Sequence, residues 1–153
     1  MIPVAGQMFR IEQAQVRGVV ARTDTLQVRA KDAGPRVQGY LKTLARERLT
    51  AASDAYSASL GKPYARLTLR DTRWRWGSCS SAGALNYSWR LIMAPPEVLD
   101  YVAAHEVAHL AEMNHSPAFW SVVTRLFGAY DAPRRWLQEN GVGLHRYRFE
   151  SAS

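Results

Sequence analysis

The chain has 153 residues, enough for one domain with a real core and too few for two. Hydrophobic residues at 47% exclude a disordered chain, a single cysteine excludes an internal disulfide, and no apolar run is long enough to span a membrane. The net charge of +7 comes mainly from arginines spread from Arg10 to Arg148 rather than from one dense block, which allows a polyanionic partner such as nucleic acid without requiring one.

Residues 1–33 carry short alternating runs (Met8-Phe9-Arg10-Ile11, Val16 to Val20, Leu26-Gln27-Val28) broken by glycine and polar residues, which predict two or three short strands. From Pro35 to Leu60 the residues Val37, Leu41, Leu44, Ala45, Leu49, Ala52 and Tyr56 recur at three- and four-residue steps, predicting a long amphipathic helix stopped by Gly61 and Pro63. Residues 64–76 alternate, with Leu67 and Leu69 on one face and Arg66, Thr68 and Arg70 on the other. After a serine- and glycine-rich turn, Leu85, Tyr87, Trp89 and Leu91 make the apolar face of a strand over 85–92, so the pattern predicts a hairpin.

Pro95-Pro96 ends that strand and opens a helix from about Pro96 to Met113 that is apolar nearly all round, as a central helix should be. Two further helices follow, Pro117 to about Phe127 and Ala132 to Asn140, before a final strand or extended tail at Leu144–Phe149.

The central helix carries His105-Glu106-Val107-Ala108-His109, a complete H-E-x-x-H signature, and His115 follows six residues later. Histidines four residues apart leave one helix face a turn apart, so both imidazoles can reach one metal ion. The glutamate beside the first is placed to take a proton from water instead of binding the metal. A continued helix would carry His115 roughly 240° round from His109, onto the wrong face. The third histidine therefore needs a helix stop. Asn114, which enters the left-handed conformation readily, is the expected terminator, with Ser116 and Pro117 as N-cap and first position of the next helix. Three neutral imidazoles leave a fourth position of a tetrahedral zinc open for chemistry.

The motif residues do not stand alone. Arg75-Trp76-Gly77-Ser78-Cys79-Ser80, then Tyr87 to Pro95, Leu99-Asp100-Tyr101-Val102, the H-E-x-x-H helix, and Asn114-His115-Ser116 with Phe119-Trp120 occur in an order and spacing that resemble the YgjP-like metallopeptidase family. The resemblance runs from about Val37 to Phe149. It implies an α+β, compact zincin-like domain: a small, mostly antiparallel sheet packed on the central H-E-x-x-H helix, with additional helices. It also implies zinc held by His105, His109 and His115, and hydrolysis of peptide bonds with Glu106 as general base. On this reading 1–33 is a strand-rich N-terminal segment, 34–150 the metallopeptidase domain and 151–153 a tail. Metzincins share the histidine spacing. They carry glycine where this chain has Glu112 and need a methionine downstream of the third ligand, whereas no methionine follows Met113.

Other residues compete for roles. Glu112 lies one turn beyond His109 and could replace His115 as a ligand; a hydrogen bond that supports one of the histidines, or simple exposure, is the plainer reading. Cys79 and His145 are further candidate donors. Asn86, Arg90, Tyr130 and Tyr147 are candidates to bind substrate or stabilise an oxyanion. Trp74, Trp76, Trp89, Phe119, Trp120 and Trp136 read as core packing. The lone cysteine, with no basic-then-apolar leader at Met1–Ile11, points to a reducing, cytoplasmic setting. Substrate is expected to be a peptide or protein whose extended chain pairs with the edge of strand 85–92. A non-peptide amide, or proteins bound to DNA, are the alternatives.

Overall fold

A computed structural model describes residues 1–150; the expected tail at 151–153 lies outside the described residues. Four short strands open the chain, β1 (Ile2–Val4), β2 (Gln7–Gln13), β3 (Val19–Ala21) and β4 (Thr25–Val28), in the sheet order β1-β2-β4-β3. The additional strand is β1. It is joined to β2 by Ala5-Gly6, both at positive φ (51° and 80°), the two-residue turn that matches strand twist. Ile2, Val4, Leu26 and Val28 are buried in the same core as Leu41 and Trp89, so the strand-rich segment is built into the core rather than set beside it.

Helix α1 (Ala33–Leu60) buries Val37, Leu41, Ala45, Leu49, Ser53 and Ser57, one residue per four-step, as the periodicity predicts. It ends at Gly61, whose left-handed backbone lets its N–H reach the Ser57 and Ala58 carbonyls while the Lys62 N–H reaches Ser57.

The second sheet departs from the expected hairpin. Its strands β5 (Arg66–Arg70), β6 (Gly77–Cys79) and β7 (Ala84–Ser88) lie in the order β5-β7-β6. β5 therefore pairs with β7 in parallel, and the true hairpin is β6–β7, closed by Gly83 donating to Ser80. The three residues of β6 include no β-branched or aromatic side chain, which is why their pattern does not announce a strand. The predicted strand over 85–92 stops at Ser88, whose hydroxyl accepts from the Arg90 N–H and starts a 3-10 turn over Trp89–Met93. Over both sheets three pairings are antiparallel and two, β2–β4 and β5–β7, are parallel.

Helices α2 (Pro96–Ala108), α3 (Pro117–Phe127) and α4 (Asp131–Asn140) follow, then a 3-10 turn at Val142–Arg146; of the expected final strand or extended tail, no strand forms and the backbone becomes extended at Tyr147. α2 is almost wholly buried and packs on α1, α3, α4, β6 and the 89–93 turn. The architecture is α+β with the motif helix at its centre. Among the described residues no helix is long and apolar enough to cross a membrane.

Candidate metal centre

His105 and His109 lie at the end of α2, and what ends the helix is a tightening of its last turn. The His109, Leu110 and Ala111 N–H groups donate to the carbonyls three residues back, Glu106, Val107 and Ala108, at 3.1, 2.9 and 3.0 Å. The helix thus stops at Ala108, earlier than expected, and Asn114 does not take a left-handed backbone. Six residues from Leu110 then bring His115 back, and Ser116 caps α3 by accepting from the Phe119 N–H at 3.3 Å, with Pro117 in the first turn.

The result is a cluster. Ligand atoms of His105, His109 and His115 all lie within 4.8 Å of one another, close enough for one metal ion to gather them. Two of the rings are held by acceptors. Nδ1 of His109 is 3.0 Å from the Glu112 carbonyl and Nδ1 of His105 is 3.0 Å from Glu106 Oε2. A carbonyl and a carboxylate only accept, so each Nδ1 carries the hydrogen and each Nε2 keeps its lone pair for a metal. Desolvation, then the proximity of His105 and His109, push the His115 imidazole below its usual pKa, which favours the neutral form a metal requires. This donor set, three neutral nitrogens with a carboxylate beside them, fits zinc.

Phe119 is buried in the core as expected, but the sequence does not reveal that it packs on the histidines. Fully buried, it stacks on His109 with centroids 4.4 Å apart and meets His105 and His115 edge-on at 5.0 and 4.9 Å, one ring backing all three imidazoles. Its place three residues past the Ser116 cap is the signal that could have found it. Gly77 is a second. A Cβ there would lie 2.8 Å from Glu106 Cγ and 3.1 Å from Oε2, so the buried carboxylate occupies space that a side chain on β6 would take.

The other expected residues separate. Glu112 contributes its backbone carbonyl to the cluster, and among the described residues neither its carboxylate, Cys79 nor His145 joins the three histidines. Cys79 is half-buried, its Sγ donating to the Ser80 carbonyl at 3.4 Å, and burial with the nearby Glu106 charge pushes its thiol up to about 11. His145 packs on Trp76 and faces Asp71.

Arg90 is not open to a substrate. It is buried, its guanidinium bound to Asp71 (2.8 and 3.4 Å) and to the carbonyls of Leu144 and Tyr147 (both 2.9 Å), and it lies over the Trp89 ring at 4.7 Å. Asn86 is on the outer face of the sheet: its register partners are Thr68 and Ser78, its Oδ1 accepts from Arg70 at 3.3 Å, and the alternate residue Gly77 is the one facing Glu106. Tyr130 stays near the cluster. It stacks on Trp120 at 4.8 Å, and Trp120 is 5.6 Å from His105. Tyr147 has its hydroxyl 2.9 Å from Arg146. Trp76, Trp89, Trp120 and Trp136 pack on the core as expected, whereas Trp74 is 94% exposed, because the 71–76 connection carries it past the end of the sheet.

A family model described as YgjP-like, metallopeptidase domain, matches residues 4–140, which takes in the N-terminal strands as well as the motifs. No curated protein sequence matches significantly. Among solved structures, that of the metallopeptidase zymogen of Pyrococcus abyssi abylysin is similar in fold, with a TM-score of 0.52 and 20% sequence identity over 60% of this chain and 93% of that one.

Proposed function

Since the chain belongs to the YgjP-like metallopeptidase family, we propose that it is a zinc peptidase in which His105, His109 and His115 hold the metal and Glu106 is the general base. As a member of that family it is a metal-dependent hydrolase, and its substrates are peptides or proteins. The observation that carries the finer reading is the convergence of three imidazole donors beside a buried carboxylate, Glu106 Oε2 lying 3.0 Å from His105 Nδ1.

Bound zinc supplies Lewis acidity, bringing the pKa of a coordinated water toward ~7 and polarising a carbonyl. The side chains do the rest. Glu106 takes a proton from the attacking water and returns it to the departing amine. The Glu112 carbonyl and the Phe119 ring hold His109 in one tautomer and orientation, and Glu106 does the same for His105.

The peptide would lie along β6 rather than β7, whose two edges are already taken by β5 and β6. Ser88 donates to the Trp76 carbonyl and Ser80 donates to the Ala84 carbonyl, so alternation turns the backbone groups of Gly77 and Cys79 to the free edge. Gly77 is also the residue against which Glu106 packs, so the free edge of β6 borders the proposed base. Of Asn86, Arg90, Tyr130 and Tyr147, the expected contacts to substrate or oxyanion, we retain Tyr130.

The test separates holding the metal from the chemistry. Glu106→Gln should keep about one zinc per chain while hydrolysis of casein or unstructured peptides falls by roughly two orders of magnitude or more. His109→Ala should lose the zinc itself. Parental turnover by Glu106→Gln, or full zinc in His109→Ala, would overturn the assignment.

A further inference from the structure

A few of the arginines dispersed in sequence, Arg66, Arg70 and Arg75, come together at the second sheet. Alternation along β5 puts Arg66, Thr68 and Arg70 on its outer face, and the strand register sets Asn86 and Ser78 beside them. Arg70 stands between two clefts. One, of about 280 Å³, it shares with Arg75, Thr72, Ser78 and Asn86; the other, of about 410 Å³, it shares with Lys42 and Arg46 of α1. The one acid lining either cleft is Asp71, and its carboxylate is bound to Arg90 at 2.8 Å. Among the described residues none of Lys42, Arg46, Arg70 and Arg75 forms an ion pair.

Trp74, 94% exposed, lies between Arg73 and Arg75 on the connection from β5 to β6, next in the chain to the Arg75 that lines the first cleft. A whole indole left in water beside cations without counterions has a specific complement. Phosphates pair with the cations, and a base stacks on the ring. A duplex hides its base faces inside the helix, and an acidic protein would use the cations while giving the indole nothing to stack on. We propose that this face binds single-stranded nucleic acid, Trp74 stacking on a base while Lys42, Arg46, Arg70 and Arg75 hold the phosphates. Ser78 and Asn86 are on the face of the sheet away from Glu106, while Gly77, against which the carboxylate packs, also lines the first cleft. Binding there needs no metal and stands apart from the peptidase reading.

Fluorescence anisotropy of a labelled twelve-residue oligo-dT, titrated with the full chain at 50 and 200 mM salt, tests this. Four phosphate contacts predict a log–log salt slope of about −3. Arg70→Gln or Arg75→Gln should each flatten it by roughly 0.7 and weaken binding at low salt. Trp74→Ala should weaken binding about tenfold or more and Trp74→Phe much less, with thermal melting of both unchanged because the side chain is in water. The proposal is overturned by no anisotropy change at about 100 μM protein in 50 mM salt, by parental affinity in Trp74→Ala, or by tighter binding of the matching duplex. Equal competition from poly-glutamate would also overturn it, and would identify a surface for acidic proteins.

Discussion

The turn over residues 105–115 and the stretch over residues 66–90 meet where Glu106 packs on Gly77 and where Leu110 comes against Gly83, yet they are built from different kinds of information. In the turn, the three imidazoles and Glu106 lie within eleven residues, and the helix repeat converts the spacing of His105, Glu106 and His109 directly into position. In the 66–90 stretch the partners are remote. Arg90 bonds residues 19, 54 and 57 positions away, and β5 pairs with β7 across an interposed strand. The first region carries the chemistry and the second holds the wall against which that chemistry is set. How far the second region serves the first can be tested by breaking it one residue at a time.

The largest effect should come from Arg90. Its buried guanidinium ties the 89–93 turn to Asp71 and to the last stretch of the chain through the Leu144 and Tyr147 carbonyls. Arg90→Ala leaves two carbonyls without donors, while Asp71, whose side chain is 43% exposed, can return to water. The expected loss is about 2–4 kcal/mol of stability, roughly 5–15 °C in Tm for a domain of this size. Arg90→Lys should recover only part, because one ammonium cannot reproduce the planar fork. Zinc content at a temperature where the variant is folded should match the parent. A variant that melts like the parent would show that the anchor is idle, and one that loses zinc while folded would show that the two regions are a single unit.

The same contrast explains what could be read from sequence. The α1 stripe at Val37, Leu41, Ala45 and Leu49, the Pro96 start, the Ser116-Pro117 cap and the three histidines all rest on separations of one to six residues, within which helix geometry leaves little freedom. The helix stop was sought at Asn114 because only side-chain preference was visible; the stop lies in backbone bonds from His109 to Ala111 that no residue type announces. The β5–β6–β7 order, the place of Arg90 and the exposure of Trp74 are settled by which strand inserts between which, and a three-residue strand of glycine, serine and cysteine is too short to declare itself.

Gly77 tests the joint between the two regions directly. Gly77→Ala places a methyl 2.8 Å from Glu106 Cγ and 3.1 Å from Oε2, and the Asn86 carbonyl at 3.2 Å blocks retreat on the strand side. The carboxylate has to move by some tenths of an ångström. Misplacement of a reacting group by a whole ångström costs on the order of a hundredfold, so a fall in turnover of about tenfold is expected with zinc nearly unchanged. The shorter Glu106→Asp should cost less in the Gly77→Ala background than alone, a rescue that a general loosening of the fold would not produce. Parental turnover in Gly77→Ala would mean that Glu106 has slack and that β6 does not position it.

The smallest effect is expected at Cys79, the residue of this stretch that most resembles a metal donor. Its Sγ donates to the Ser80 carbonyl, and its thiol, pushed from 9.0 to about 11 by burial and then by Glu106, is protonated at neutral pH, whereas a ligand or nucleophile needs the thiolate. Cys79→Ala should keep one zinc per chain and change stability by no more than about 1 kcal/mol near pH 7. The pH dependence has a definite sign. A thiol harder to ionise in the folded chain than in the unfolded one contributes its full stability below pH 9, and that contribution is lost as pH rises toward about 11. Between those values the parent should lose stability faster than Cys79→Ala, read as a narrowing gap in urea midpoints. Loss of the zinc in Cys79→Ala would move the thiol into the metal site; parallel pH curves for parent and variant would mean that neither burial nor the Glu106 charge holds the thiol protonated in the folded chain.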